Sequence, residues 1–476
     1  MLNIQKKESE NSPKLWVLTE GKKYIDVRFS EEKSEWIKKY LFDNKKDISV
    51  LFTIDQPLEI FIRPEKDAKD ISKIKENCRN LAAKALTYFD QAGCQSVEIT
   101  GDVGKEMLLA TAEGLVLSAY RFVKYFSDAD DKKCKLQNIN IISSEITPSE
   151  ITEQNIVHAA IVQVRNWVNE PACFLTAIKL SEEFADMAKK SGAKVEILSK
   201  KKIEALKMGG LLAVNQGSDE HPTFTVIEWN PENAINRQPV VLVGKGVTFD
   251  TGGSNLKTEH YMDEMKTDMA GAATVAATIC AIAENRLPVH VIALMPATDN
   301  KLSNNAMLPS DIITMHNGKT VEVGNTDAEG RLILADAISY AARFNPRLII
   351  SMATLTGSAQ RTIGKYGMVM MGNAHKEMKQ LKIKGDEAYE RVAELPFWEE
   401  YAEELKSEIA DMKNIGSSEG GAITAGKFLE KFTNFPFIHL DIAGCAYLSK
   451  PYEWRPVGGT GTGVRLLYQF LKNINE

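Results

Sequence analysis

The stretch Val321-Glu322-Val323-Gly324-Asn325-Thr326-Asp327-Ala328-Glu329-Gly330-Arg331-Leu332 sets carboxylates, a guanidinium and two glycines between an expected strand and an expected helix. Upstream, Ile312-Ile313-Thr314-Met315 and Thr320-Val321-Glu322-Val323 read as short strands, and Asn317-Gly318 between them suits a tight hairpin turn. Downstream, Leu332, Ile333, Ala335, Ala337, Ile338 and Ala341 recur with helical spacing. Asp327, Glu329 and Arg331 stand at i, i+2 and i+4, so in an extended segment their side chains share one side. The competing reading is a helix start, with Thr326 and Glu329 as a capping box and acids at the positive end of the helix. Gly330 weakens it, because glycine inside a helix is less stable than alanine. That reading also leaves Asp327 and Arg331 without a task.

A second acidic stretch lies upstream: Val243-Gly244-Lys245-Gly246-Val247-Thr248-Phe249-Asp250-Thr251-Gly252-Gly253, followed by Lys257, Asp263 and Asp268. A glycine-rich turn after a buried strand raises the question of a nucleotide site. Phe249 stands where the dinucleotide fingerprint needs its third glycine, and the P-loop order of Gly, Lys and Ser/Thr is missing. What remains is a set of carboxylates, Asp250, Asp268, Asp327 and Glu329, at or near the ends of apolar strands, where open α/β sheets bind ligands. Four such groups brought together repel one another and raise their own pKa values, and two divalent cations cancel that charge. Seven histidines supply no His-Glu-x-x-His pair, so the expected site is carboxylate-rich and dinuclear. Asp263 reads as a cap or a surface ion pair.

The surrounding chain supports an α/β architecture. At 476 residues, two or three domains are expected, with a core large enough to need no staples. Strands are expected at Ile48 to Ile54, Leu58 to Ile62, Ser96 to Ile99 and Asn138 to Ile142, with helices from Asp67 to Ala92 and Gly104 to Phe126. Asp128 to Lys133 reads as a solvated loop. A helix from Glu153 to Val168, stopped by Asn169-Glu170-Pro171, separates an N-terminal α/β domain (1–150) from a larger catalytic domain (171–476), with 151–170 as the linker helix. A helix from Ala177 to Lys190 and a strand at Val195 to Leu198 open that second domain. Its next strands, Val240 to Val243, Val289 to Leu294, Leu348 to Met352 and Phe437 to Ile442, are apolar on both faces. That pattern belongs to a central, mostly parallel sheet flanked by helices, here at Met269 to Glu284 and Leu332 to Arg343.

Composition bounds the rest. Hydrophobic residues at 44% and charged residues at 26% describe a globular chain, and a net charge of -6 argues against nucleic acid or an anionic membrane as main partner. The six cysteines form no Cys-x-x-Cys pair, which fits a reducing compartment. Residues 1–8 lack the apolar core of a signal peptide, and no apolar run approaches the ~20 residues that span a bilayer, so a cytoplasmic protein is expected.

Asn325-Thr326-Asp327-Ala328-Glu329-Gly330-Arg331-Leu332 resembles the signature of the leucyl aminopeptidase family, the dinuclear cytosolic metallo-exopeptidases. Gly244 to Gly253 resembles its first metal-binding segment. Asp268-Met269-Ala270-Gly271-Ala272-Ala273 resembles the next, with Ala270 where a second glycine is commoner. The similarity runs on through Val168-Asn169-Glu170-Pro171, Ala353-Thr354-Leu355-Thr356-Gly357 and His439-Leu440-Asp441-Ile442-Ala443-Gly444, from about Asn166 to the C-terminus. The resemblance implies that Asp250 and Glu329 bridge two metals, that Lys245 and Asp268 complete the tighter site, and that Asp327 completes the more exchangeable one. It implies Lys257 and Arg331 as the unligated catalytic pair, and Met265, Thr354, Gly357 and Ala443 as lining the pocket for the substrate's first side chain. It further implies zinc or manganese, bicarbonate at Arg331, peptide substrates with a free N-terminus and leucine-like first residues, and a homohexamer.

The residue types suit these roles. Lys257 is a cation able to stabilise charge on a carbonyl oxygen, and Arg331 a planar fork for a bidentate anion. Ordinary charge balance against the acids is the alternative for both. Two rival functions stay open at this point: a non-catalytic binding protein that keeps the fold, and a dinuclear phosphoesterase, whose sites usually recruit the histidine that the metal-binding segments lack.

Overall fold

The computed structural model describes residues 2–6, 12–19, 22–65, 70–258 and 260–474. The chain divides into two compact units, Met1–Val162 with Lys450–Val457, and Gln163–Ser449 with Gly458–Glu476. The division falls inside one continuous helix, Pro148–Asn169.

The first unit is built on six strands: β1 (Asn3–Gln5), β2 (Lys14–Val17), β3 (Ile48–Leu51), β4 (Glu59–Ile62), β5 (Ser96–Gly101) and β6 (Asn138–Ile141). They pair in the order β1-β6-β5-β2-β4-β3, parallel throughout except for β3 against β4. The expected helix from Asp67 begins outside the described residues; the helix seen is Ile71–Gln91, capped by the Asp70 carboxylate on Ser72 N–H. The helix expected from Gly104 to Phe126 stops at Ser118. There Arg121 Nη1 donates to the Ser118 and Tyr120 carbonyls, taking up acceptors that further helical turns would have used. The expected loop at Asp128 to Lys133 contains a single exposed helical turn, Ala129–Lys132, with Lys132–Asp128 and Lys133–Asp130 ion pairs. The central strand β2 escaped the sequence reading because four residues, Lys-Leu-Trp-Val, show no usable period.

The second unit carries β7 (Lys194–Leu198), β8 (Thr223–Trp229), β9 (Val240–Gly244), β10 (Gly246–Asp250), β11 (Val291–Asn300), β12 (Ile312–Thr314), β13 (Thr320–Glu322), β14 (Leu348–Ala353), β15 (Met368–Gly372), β16 (Val392–Glu394), β17 (Met412–Lys413) and β18 (Phe437–Asp441). The main sheet runs β16-β15-β18-β14-β9-β11-β8-β7, with β10 also on β11. Its middle strands β18, β14, β9 and β11 are mutually parallel, as the doubly apolar runs require. Val241, Val243, Ile292, Leu294 and Ile349 share a core with residues 332–341 of the helix Glu329–Ala341. Their alternates Val240, Leu242, Ala293 and Ile350 are equally buried on the opposite face. The helix Ala270–Glu284 packs on the strands so closely that a β-carbon on Gly271 would lie 2.2 Å from the Met352 carbonyl oxygen.

Two local readings change here. The segment read as a glycine-rich turn is a strand, β10, which continues the line of β9 along the ten-residue β11 after a break at Lys245. The break is held by Lys245 N–H to Met352 O and by Ala272 N–H to Lys245 O. The helix after the signature starts at Glu329, so Glu329 and Arg331 lie in its first turn and not in an extended segment. Gly318 takes the positive φ of the β12–β13 hairpin turn, at +85°.

Candidate active site

One strand end and two helix starts, not strand ends alone, bring the acids together. Asp250 closes β10, Asp268 precedes the helix Ala270–Glu284, and Asp327 and Glu329 flank the start of the helix Glu329–Ala341. Oxygens of Asp250, Asp327 and Glu329 all lie within 4.8 Å of one another. Two lysines sit among them. Lys245 Nζ is 2.7 Å from Asp268 Oδ2 and 2.8 Å from Glu329 Oε1, and donates to Thr354 O at 3.0 Å. Lys257 Nζ is 2.8 Å from Asp250 Oδ2 and 2.5 Å from Asp327 Oδ1.

The competing capping-box reading, which Gly330 already weakened, does not hold: Ala328 is the N-cap of this helix, with no side-chain cap bond among the described residues. Thr326 instead joins the two acidic stretches, its Oγ1 donating to Gly252 O and accepting from Asn255 N–H. Gly252 needs its positive φ of +88°, and a β-carbon there would meet Asn255 O at 2.4 Å. Asn300, at the end of β11, donates to Asp250 Oδ1 and to Thr326 O, so one amide ties both stretches. Sequence reading missed Asn300 because nothing in its neighbourhood marks it.

The electrostatics are those of a crowded buried anion site. Burial, then the charges of Asp250 and Glu329, push Asp327 up to about 7 against the pull of Lys257. Asp268 is also raised, by burial and by Glu329 and Asp250, with Lys245 opposing. Burial alone would lower both lysines, but the surrounding carboxylates outweigh it and keep them ammonium ions. Asp268 Oδ2, Asp327 Oδ1 and Glu329 Oε1 are buried, and among the described residues their partners are the lysine ammonium groups at ion-pair distance. Hard carboxylate oxygens converging in this way, with two lysines as their ion-pair partners among the described residues, fit divalent cations.

Arg331 is buried, donates from Nη1 to Asn414 O at 2.7 Å, and leaves Nε without a hydrogen-bond partner among the described residues. Burial lowers its pKa to about 10, with Glu329 and Asp441 opposing. His439, unremarked in the sequence reading except as part of its segment, is fully buried; burial and the Arg331 charge push it down to about 3, so it stays neutral.

Of the four residues expected to line a side-chain pocket, Thr354 is bonded directly to an acid of this centre, its Oγ1 donating to Asp268 Oδ1 at 2.7 Å. Gly357 opens the helix Gly357–Ile363, and Asp441 links that loop to Ala443 by accepting from Leu355 N–H, Thr356 Oγ1 and Ala443 N–H. Met265 sits half-buried on the single 3₁₀ turn Met265–Thr267 that leads into Asp268. Asp263 is exposed, apart from the buried acids.

Among the described residues no helix is long and apolar enough to cross a membrane. A family model described as the cytosol aminopeptidase family, catalytic domain, matches residues 162–468. A probable cytosol aminopeptidase of Chlorobium phaeobacteroides is 41% identical over 426 residues, 85% of this chain and 84% of that one. Another from Chloroherpeton thalassium is 45% identical over 409 residues, 82% of this chain and 80% of that one. Among solved structures, the bottromycin maturation enzyme BotP in complex with Mn superposes with a TM-score of 0.86 at 26% identity, over 98% of this chain and 100% of that one. The α/β fold, the acidic centre and these likenesses agree, and the chain belongs to the cytosol aminopeptidase family, as a metal-dependent leucyl aminopeptidase-type hydrolase acting on peptides.

Proposed function

We propose that this aminopeptidase holds two divalent cations per chain and removes leucine-like N-terminal residues from peptides with a free α-amine. The observation that carries the reading is the convergence of Asp250, Asp327 and Glu329 oxygens within 4.8 Å, with three buried acid oxygens whose partners among the described residues are lysine ammonium groups. Asp250 and Glu329 serve both cations, Lys245 and Asp268 the tighter site, and Asp327 the more exchangeable one. Lys245 would hold a cation only as the neutral amine, since an ammonium has no lone pair to donate. Zinc or manganese is the metal; the manganese in the BotP complex supports the second. Two such ions polarise a scissile carbonyl and make water acidic enough to attack near neutral pH.

The chain's own residues do the rest. Lys257, charged beside Asp250 and Asp327, stabilises the negative charge that grows on the carbonyl oxygen. Arg331, held through Nη1 by the Asn414 carbonyl, would present its remaining donors to a bicarbonate, which would supply a proton relay there. Met265, Thr354, Gly357 and Ala443 shape the space for the first side chain. The protein works in the cytoplasm as a homohexamer, with residues 1–150 as an N-terminal domain, 151–170 as linker helix and 171–476 as the catalytic domain.

The experiment is metal analysis of purified protein beside hydrolysis of leucyl, other aminoacyl and N-acetyl-leucyl amides and a phosphate ester. Two metals per chain, turnover of leucyl amide and inertness of its acetylated form are expected. Comparable rates on capped and uncapped substrates overturn the free-amine requirement, and one metal at full activity overturns the dinuclear site.

A further inference from the structure

The turn Gly324 to Ala328 has no regular secondary structure, yet it carries Asp327 and delivers Glu329 and Arg331 to the site. Its peptide groups, exposed at Gly324, half-buried at Asn325 and buried at Thr326 and Ala328, are held by partners from elsewhere in the chain. One side chain supplies most of them. Asn414, fully buried and about ninety residues away in sequence, follows β17, whose pairing with β13 it extends by donating its N–H to Glu322 O at 3.0 Å. Its Oδ1 accepts from Gly324 N–H at 2.7 Å and Asn325 N–H at 3.2 Å. Its Nδ2 donates to Asn325 O at 2.7 Å and Ala328 O at 3.4 Å. Both lone pairs and both protons of the amide are engaged. Asn325, gripped at N–H and C=O, in turn accepts Asp327 N–H on its own Oδ1 at 2.8 Å. The Asn414 carbonyl is also the acceptor of Arg331 Nη1.

We propose that Asn414 is the positioning residue of this aminopeptidase: one residue sets the turn that aims Asp327 and, through its carbonyl, the guanidinium of Arg331. The inference rests on the proposed roles of Asp327 and Arg331. Asn414 touches no substrate atom; it acts by holding the turn in its working shape before any cation arrives. Only an amide fits the position. A carboxylate of the same shape accepts but cannot donate, which strands Asn325 O and Ala328 O and adds a charge beside an acidic centre.

The test uses the full chain with Asn414→Asp and Asn414→Ser, the second keeping one donor and one acceptor. Asn414→Asp is expected to melt within a few degrees of the parent while kcat on leucyl amide falls about 30- to 100-fold and KM stays within about threefold; the retained melting temperature, not the split, shows that the lower kcat is no loss of folded protein. Mn²⁺ titration followed by calorimetry is expected to show the weaker site loosened by about tenfold or more, and Asn414→Ser is expected to recover part of both losses. Hydrogen exchange on the metal-free parent needs no variant: the Gly324, Asn325 and Asp327 amides are expected to be as protected as those of the helix that follows. A folded Asn414→Asp protein with kcat within threefold of the parent overturns the proposal, and so does rapid exchange of those amides without metal. Asp327→Asn and Arg331→Ala are measured in parallel. If both keep full activity, the reading of the site itself fails; if both lose activity while Asn414→Asp does not, only the positioning role falls.

Discussion

Gly330 is a glycine because Lys245 occupies the place of its side chain: a β-carbon there would lie 2.4 Å from Lys245 Cε and 2.7 Å from Nζ. A residue unfavourable inside a helix thus gives the lysine its route to Asp268 and Glu329. Gly330→Ala, harmless to helix propensity, is expected to push the amine away from the acids. A loss of about 10²-fold in kcat/KM with reduced metal content is expected, as for a displacement of roughly 1 Å in a reacting group. Parent-like kinetics in this variant would show that Lys245 moves aside freely.

Lys245→Arg keeps the charge and the hydrogen-bonding character but cannot shed its proton. The variant is expected to lose the tighter metal, read as a fall from two metals to one or none per chain by elemental analysis. An unchanged stoichiometry removes Lys245 from the ligand set.

Arg331→Ala is expected to leave metal content intact and to slow leucyl hydrolysis by roughly 10²–10³-fold, the scale seen when one preorganised polar group is lost. A matching loss of metal would instead make Arg331 a structural counter-ion for Glu329 and Asp441, the two acids whose charges act on it.

The metal-free protein is expected to lose thermal stability as pH rises from about 4 to 7. Asp336 is fully buried and pushed from its ordinary 3.8 up to about 7 by burial, against backbone N–H bonds from His316, Leu211 and Gly210 that pull it down. A folded-state pKa above the unfolded one means the proton binds more tightly in the folded chain. The stabilisation is therefore complete below about pH 3.8 and lost as pH climbs through 7, on the order of 4 kcal/mol for Asp336. Asp327, raised to about 7, and Asp441, raised to about 6 by burial, act with the same sign. Melting temperature against pH, with and without saturating Mn²⁺, reads this out. Cations favour the deprotonated acids, so the slope is expected to flatten or reverse on loading. Asp336→Asn is expected to make the metal-free slope shallower, and an unaltered slope removes Asp336 as its source.

Much of the catalytic unit was legible in the chain because its signals are local. Val240 to Val243 and Leu348 to Met352 announce doubly covered strands by composition alone, and the β12–β13 hairpin is written in Asn317-Gly318. Asp250, Asp268, Asp327 and Glu329 were marked out by acids recurring at strand ends without partners of their own. The first unit was less legible: its short strands β1 and β2 span three and four residues, too few to show a period.

The sequence by itself determined which chemistry is available: carboxylates in excess, two lysines and an arginine among them, and glycines where the chain must pass close to itself. Only the tertiary structure decided how those groups are held. Asn300 ties Asp250 to Thr326, Asp441 joins the loops of Leu355 and Ala443, and Asn414 grips the signature turn from about ninety residues away. An amide or a carboxylate accepting backbone N–H groups has no sequence signature, because its partners are peptide groups that every residue carries. Its position becomes meaningful only when strand pairing, such as β17 on β13, brings a distant backbone within 3 Å.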